Sequence, residues 1–179
     1  MSKRKRNWRG NATIEFTLVG IPLVFVLIST IEMARGMWIY HTLAYAIKGG
    51  TRYAVARGQN NSGVSHSSYQ GVCTAILQAG AGLLKEDLIL TFQSATTQPT
   101  TLKADACLSN PGQWPPGLAA GKIDDQAGQM ISISGFYPFV SAISMFWPGA
   151  GPGMTFQGLT CNGPLAVCLP AASQDIMQF

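Results

Sequence analysis

The chain has 179 residues and a formal net charge of +4, a length that allows one domain with at most a short appendage. Five positive charges precede Gly10, and beyond it seven basic and eight acidic residues nearly balance. Nucleic-acid binding needs cations spread over a folded face, so this distribution argues against that class of protein. The basic head consists of Lys3, Arg4, Lys5, Arg6 and Arg9.

An uncharged apolar run from Phe16 to Ile31 follows the basic head. It falls a little short of the roughly 20 residues that a spanning helix needs. Ile14 and the stems of Glu32 and Arg35 extend it, with their charged ends at the interface. Trp38 and Tyr40 then stand where an interfacial aromatic belt is expected. The pattern predicts a transmembrane helix with its N-terminus in the cytoplasm, because basic residues favour the cytoplasmic side. A buried helix of a soluble protein rarely has such a head.

The helical pattern continues past the apolar run, because apolar and small residues recur at spacings of three and four as far as Arg57. A helix from Asn11 to Arg57 is about 70 Å long, over twice the hydrocarbon thickness, so its second half must pack on a domain. Pro22 predicts a gentle kink in the membrane half. A secretory signal peptide is an alternative, but the residues around Glu32 do not form a small-residue cleavage site.

Glu15 is a carboxylate one turn into the apolar segment. A carboxylate in a membrane helix costs about 2.5–3.5 kcal/mol at the helix centre and less near the membrane edge. A functional role and a partner are therefore expected for Glu15. If the chain is cut after Gly10, the new α-amino group on Asn11 becomes a cation one helical turn away. That amine can pair with Glu15 of its own chain or of a neighbouring chain.

Basic residues, then Gly10, then Glu15 five positions later, then Phe16 and an apolar run resemble the processing site of type IV prepilins, and the Glu-aromatic pair resembles the Flp type. Further segments resemble the TadE-like family of pilus-assembly pseudopilins: Pro22, Ile31–Gly36 and Gly50–Ala54. The likeness covers about the first third of the chain. It implies cleavage after Gly10 by a membrane aspartic prepilin peptidase, with Gly10, Asn11, Glu15 and Phe16 as the processing site and Glu15 as the assembly ion pair.

The resemblance implies a minor pseudopilin in the biogenesis of a bacterial Tad/Flp type IV pilus or a related secretion system. The expected partners are the prepilin peptidase, other pilins or pseudopilins, the inner-membrane pilus platform and the lipid bilayer. The chain is expected to cross the bacterial inner membrane once, with its C-terminal domain in the periplasm. The alternative is an uncleaved single-pass periplasmic module that binds a partner or acts as a scaffold. Whether the subunit enters the filament, caps it or stays in the membrane is left open.

The fold class predicted is α+β, with a basic leader at 1–10, a long helix at 11–57 and an extracytoplasmic domain at 58–179. In that domain we expect a helix from Ser67 to Leu84 and a strand from Leu88 to Gln93. A long loop at 94–129 precedes a second strand from Met130 to Phe136, which should pair antiparallel with the first. The small antiparallel sheet is then expected to end in an aromatic-proline break at Tyr137-Pro138, a feature of the resembled family.

Beyond this break the sequence offers fewer patterns. The apolar segment 139–147 is either part of the core that covers the sheet or a surface that meets the membrane or a partner subunit. A further strand is expected within Met154–Leu159. The tail from Thr160 is interpreted as a disulfide loop.

Four cysteines, an even number, fit an oxidising compartment. Three pairings are possible; a turn at Asn162-Gly163-Pro164 favours Cys161 with Cys168, which leaves Cys73 with Cys107. No metal site, cofactor or enzymatic activity is predicted, because the sequence lacks a catalytic motif, has no Cys-x2-Cys pair and has only two histidines. The acidic pairs Glu86-Asp87 and Asp124-Asp125 are interpreted as solvated turn residues.

Overall fold

A computed structural model describes residues 9–58, 65–141, 155–156, 159–160 and 166–178. The fold is α+β, as predicted: a long apolar N-terminal helix, further helices and a four-stranded antiparallel sheet. The helices are α1 (Arg9–Val55), α2 (Tyr69–Ala79) and α3 (Ala104–Leu108), with a 3₁₀ turn at Leu118–Ala120. The strands are β1 (Ile89–Ser94), β2 (Thr100–Lys103), β3 (Met130–Val140), β4 (Thr155–Phe156), β5 (Leu159–Thr160) and β6 (Ala166–Ile176).

Helix α1 is continuous over 47 residues and includes Pro22. Its first half projects from the fold, and most of the apolar side chains between Ile14 and Ile31 are exposed. Its second half is part of the core, where Leu43, Ala46 and Ile47 are fully buried. The helix therefore has two parts, as predicted: a bare half up to Ile31, which projects from the fold, and a packed half from Glu32 to Val55, which joins the domain.

Helix α2 begins with a side-chain cap, because the Ser68 hydroxyl accepts a hydrogen bond from the Gly71 N–H at 3.1 Å. It packs on α1 where Gly50 leaves room for the Ile76 side chain. The helix ends at Ala79, five residues before the predicted end at Leu84. Gly80 is the C-cap: its N–H still donates to the Ile76 carbonyl at 2.9 Å, but its ψ of 64° lies outside the helical range, so the helix ends there.

The main sheet has the strand order β2-β1-β3-β6, with every neighbouring pair antiparallel. Strand β1 pairs with β3 from Ile89↔Phe136 to Ser94↔Ile131, which confirms the predicted pairing of these two segments. Strand β6 then pairs with β3 along its whole length. The interpretation of the tail as a loop was wrong for residues 166–176, since these residues form strand β6, although Cys168 within it is disulfide-bonded.

Two other predictions about the sheet need correction. Tyr137-Pro138 does not break β3, which continues to Val140. Pro138 lies beyond the part of β3 that pairs with β1, so its missing N–H removes no bond from an interior strand there. The segment 94–129 is not one long loop, because it contains β2, α3 and the 3₁₀ turn.

The core lies between the packed half of α1, α2 and the sheet. At one end of the core, Trp114 stacks edge-on against Phe92, with ring centroids 5.0 Å apart, and Tyr69 packs on both rings. The expected strand within Met154–Leu159 takes the form of the short hairpin β4-β5. Of the apolar segment 139–147, only Phe139, Val140 and Ser141 lie within the described residues.

Candidate functional site

The predicted processing residues lie at the start of α1. Gly10 and Asn11 belong to its first turn, and their side-chain surroundings lie outside what the structure describes. Glu15 and Phe16 follow on the bare half of the helix, and the Phe16 side chain is 77% exposed. Because this segment is helical, Asn11 and Glu15 lie four residues apart on the same face. The structure thus brings these two positions to neighbouring places on the helix.

The bare half of α1 has the internal hydrogen bonding that an apolar environment demands. Ser29 Oγ donates to the Phe25 carbonyl and Thr30 Oγ1 to the Val26 carbonyl, each at 2.8 Å. Thr17 Oγ1 bonds the backbone of the preceding turn in the same way. Hydroxyl groups that are satisfied within their own helix need no water. Residues Thr13–Val55 form a helix whose most apolar window has a mean hydropathy of 2.2, with length and composition sufficient to cross a membrane.

An ion pair marks the place where α1 passes from its bare half to its packed half. Arg35 Nη1 lies 3.3 Å from Glu32 Oε1, and Glu32 is only 9% exposed. Arg35 also donates from Nη2 to the Val140 carbonyl at 2.5 Å, and its guanidinium lies 5.0 Å from the centroid of the Phe139 ring. These contacts join α1 to the end of β3. The spacing of three between Glu32 and Arg35 permits their pairing on a helix, but nothing in the sequence indicates the contact with β3.

A disulfide joins two of the helices. Cys73 on α2 and Cys107 on α3 form a disulfide, and both are fully buried. It is the pair that the predicted Cys161–Cys168 disulfide would leave for Cys73 and Cys107. Cys168 is disulfide-bonded as well, but Cys161 lies outside the described residues, so the identity of the Cys168 partner stays a prediction.

Asp124 anchors the connection that precedes β3. Its carboxylate accepts hydrogen bonds from Ser94 Oγ at 2.6 Å, Thr97 Oγ1 at 3.0 Å and the Thr96 N–H at 3.2 Å. Burial is the largest single influence and raises the pKa of Asp124. Together, however, the hydrogen bonds from Ser94, Thr96 and Thr97 outweigh it and hold the pKa below its ordinary value.

The interpretation of Asp124-Asp125 as a solvated turn was wrong, because both residues are buried. Asp125 accepts a hydrogen bond from Gln113 Nε2 at 3.1 Å. Glu86 and Asp87 are exposed, as expected of turn residues. In the part of the chain that the structure describes, no cluster of three or more His, Cys, Asp or Glu residues is arranged to hold a metal ion.

The fold and the apolar helix indicate a membrane protein with one candidate spanning helix in the described residues, and this anchor helix is also part of the folded domain's core. Residues 10–52 match the family model of TadE-like proteins, which confirms the resemblance inferred from the sequence. The matched region contains the bare half of α1, the Glu32–Arg35 pair and most of the packed half. Over this region the chain is similar to a family of pilus-assembly proteins that are structural and not typically enzymatic. No curated protein and no solved structure matches the chain.

Proposed function

We propose that this protein is a minor pseudopilin that works in the biogenesis of a bacterial Tad/Flp pilus or a related secretion system. In this proposal a prepilin peptidase removes residues 1–10, and the remaining chain is held in the inner membrane by the bare half of α1. The packed half of α1 and the residues from 58 onward form the periplasmic domain. Other pilins and the inner-membrane pilus platform are its partners.

The observation that supports this role best is the continuity of α1. One helix carries Glu15 on its bare half and buries Leu43, Ala46 and Ile47 in the domain core. A rigid connection of this kind transmits a force applied to the membrane segment directly to the domain, because no flexible linker separates them. An anchor that only held a binding module near the membrane would not need to be part of that module's core.

Glu15 supplies the proposed assembly contact. Cleavage after Gly10 leaves an α-amino group on Asn11, one helical turn from Glu15. In an apolar surrounding, a carboxylate and an amine stabilise each other when paired, and each is costly when left without a partner. We infer that Glu15 of one subunit pairs with the new amino terminus of a neighbouring pilin.

The proposed orientation has two sources of support. The five cations of the basic head favour a cytoplasmic N-terminus under the positive-inside rule. The disulfide between Cys73 and Cys107 belongs in a compartment where thiols are oxidised, such as the periplasm. Both features favour the same side of the membrane, the periplasmic side, for the domain.

Processing is tested by co-expressing the chain with a Tad-type prepilin peptidase and sequencing the N-terminus of the membrane-extracted protein. We expect the mature chain to begin at Asn11, and Gly10→Leu to block the cleavage. Gly20→Ala is the matched control, because the nearest side-chain atom to its new methyl group is 3.9 Å away and it lies far from the junction. A wild-type chain that keeps its first ten residues beside an active peptidase would favour the uncleaved binding or scaffold module instead.

The ion pair is tested by Glu15→Ala. This variant should be inserted and cleaved, but it should fail to crosslink to other pilins and to support piliation. The neighbour's amine then has no partner in a low dielectric, which costs several kcal/mol in association. Glu15→Gln should be intermediate, because it keeps a hydrogen bond and loses the charge. Thr17→Ala is the control, since its hydroxyl bonds only its own helix. Normal piliation with Glu15→Ala would show that the carboxylate is merely tolerated.

A further inference from the structure

The direction of β3 relative to α1 determines which end of the sheet faces the membrane. A methyl group placed on Gly135 would lie 2.6 Å from Ile47 Cδ1, and one placed on Gly36 would lie 3.6 Å from the Phe139 ring. As β3 advances from Gly135 to Phe139, the contacts on α1 therefore move back from Ile47 to Gly36. Strand β3 runs antiparallel to α1 and ends beside the bare half of the helix.

The height of the end of β3 relative to the membrane follows from helix geometry. The uncharged run of α1 ends at Ile31, and Gly36 is five residues farther along, or about 7.5 Å at the rise of an α-helix. The headgroup layer on each side of a bilayer is about 5–7.5 Å thick, half the difference between the thickness of the whole bilayer and that of its hydrocarbon core. The end of β3 therefore lies at headgroup level whenever α1 spans the bilayer.

The side chains at this end of the sheet suit that environment. Val140 at the end of β3 and Val167 near the start of β6, where it pairs with Phe139, are 43% and 42% exposed, although both are aliphatic. Arg35 lies beside them, half-exposed and hydrogen-bonded to the Val140 carbonyl. An apolar surface with a cation at its edge matches a phospholipid interface, where acyl chains begin and phosphate groups lie.

The charge pattern of the sequence agrees with this placement. No charged residue occurs between Asp125 and Asp175, a stretch that contains all of β3 and nearly all of β6. A domain surface surrounded by water usually mixes apolar residues with charged ones. Strands β3 and β6 contain no charged residue except Asp175, which lies at the end of β6 far from Val167.

We propose that the sheet end formed by Val140 and Val167 rests on the outer leaflet of the bilayer that α1 spans, with Arg35 at the level of the lipid phosphates. The occupant of this surface is phospholipid rather than a second protein. The contact fixes the orientation of the domain relative to the membrane, in addition to the continuity of α1. It requires that α1 spans the bilayer, and it does not depend on cleavage after Gly10.

The opposite end of the same two strands provides a matched control. Met130 and Ile176 are 50% and 55% exposed, so they are as accessible as Val140 and Val167. They pair at the far end of the β3-β6 ladder, about 33 Å away at 3.3 Å per residue. Exposure alone cannot distinguish the two ends, whereas contact with lipid can.

The experiment uses the full chain in nanodiscs at one copy per disc, without other pilins. Val140→Cys and Ile176→Cys, whose side chains lie on the same face of the sheet, are each labelled with the environment-sensitive fluorophore NBD, and Val167→Cys serves as a second probe of the membrane-facing end. Phospholipids with a nitroxide near the headgroup should quench most of the emission at positions 167 and 140 and little at position 176. Iodide in the buffer should give the reverse order.

Two results would overturn the proposal. In the first, iodide quenches the probes at positions 140 and 176 equally, which means that water surrounds both ends. In the second, the probe at position 140 is protected from iodide and also from the nitroxide lipid, which means that protein covers it. Near-ultraviolet circular dichroism and mass spectrometry of the Cys73–Cys107 disulfide establish that each labelled variant is folded.

Discussion

The disulfide between Cys73 and Cys107 allows a quantitative test of how the domain is stabilised. It joins α2 to α3 across a sequence separation of 34 residues. In the chain-entropy model, a closed loop of this size stabilises the folded state by about 3.8 kcal/mol at 25 °C, because the crosslink restricts the unfolded chain. Domains of this size have a total stability of about 5–15 kcal/mol, so the crosslink is a large part of it.

The perturbation is the double variant Cys73→Ala with Cys107→Ala. Urea unfolding of the detergent-solubilised chain is followed by near-ultraviolet circular dichroism, to which the buried Trp114 contributes. The free energy of unfolding should fall by about 3.8 kcal/mol. Replacing Cys161 and Cys168 together should cost less, about 2.4 kcal/mol, because their predicted pairing closes a loop of only seven residues.

Two outcomes would refute this reasoning. A loss below about 1 kcal/mol for the Cys73 and Cys107 pair would show that loop closure is not what the crosslink contributes, since the model assigns it far more. A larger loss for the Cys161 and Cys168 pair would contradict the dependence on loop length. Mass spectrometry without reductant should also find no free thiols in protein from the membrane. Four alkylated cysteines would contradict the proposed periplasmic location.

Two further predictions concern packing and pH. Gly50→Ala should destabilise the domain in the same unfolding assay, because its methyl group would lie 2.8 Å from Ile76 Cδ1. Such overpacking costs about 1–3 kcal/mol, which exceeds or cancels the gain of about 1 kcal/mol in helix propensity. Gly36→Ala should be neutral or stabilising, since its methyl group would make an ordinary contact with the Phe139 ring at 3.6 Å; equal effects would refute the steric explanation. The lowered pKa of Asp124 means that its contribution to stability is present above the unfolded-state pKa, near 3.9, and is lost as the pH falls through the lower folded-state pKa. Asp124→Asn should therefore destabilise the domain at pH 7 and reduce the loss of stability in acid. An unchanged dependence of the free energy of unfolding on pH would contradict this role of Asp124.

The sequence by itself determined the elements whose signals are local. The apolar run from Phe16 to Ile31 and the repeat of small and apolar residues beyond it predict α1, because helix periodicity depends on residues three and four apart. Alternation over Met130–Phe136 predicts β3 in the same way, from residues two apart. The basic head, Gly10 and Glu15 form a motif within one short segment, so the resemblance to TadE-like proteins was readable there and is matched over residues 10–52.

Only the tertiary structure decided the features whose partners are distant in the chain. Strand β6 contains Pro170 and small residues without clear alternation, and it is a strand because β3 offers eleven consecutive pairing positions. Asp124 is buried because Ser94, Thr96 and Thr97, about thirty residues earlier, supply its hydrogen-bond donors. The link between Arg35 and Val140 joins residues 105 positions apart. No local pattern encodes such contacts, since they form only when the sheet packs against the long helix and the end of β3 reaches the point where that helix leaves the apolar run.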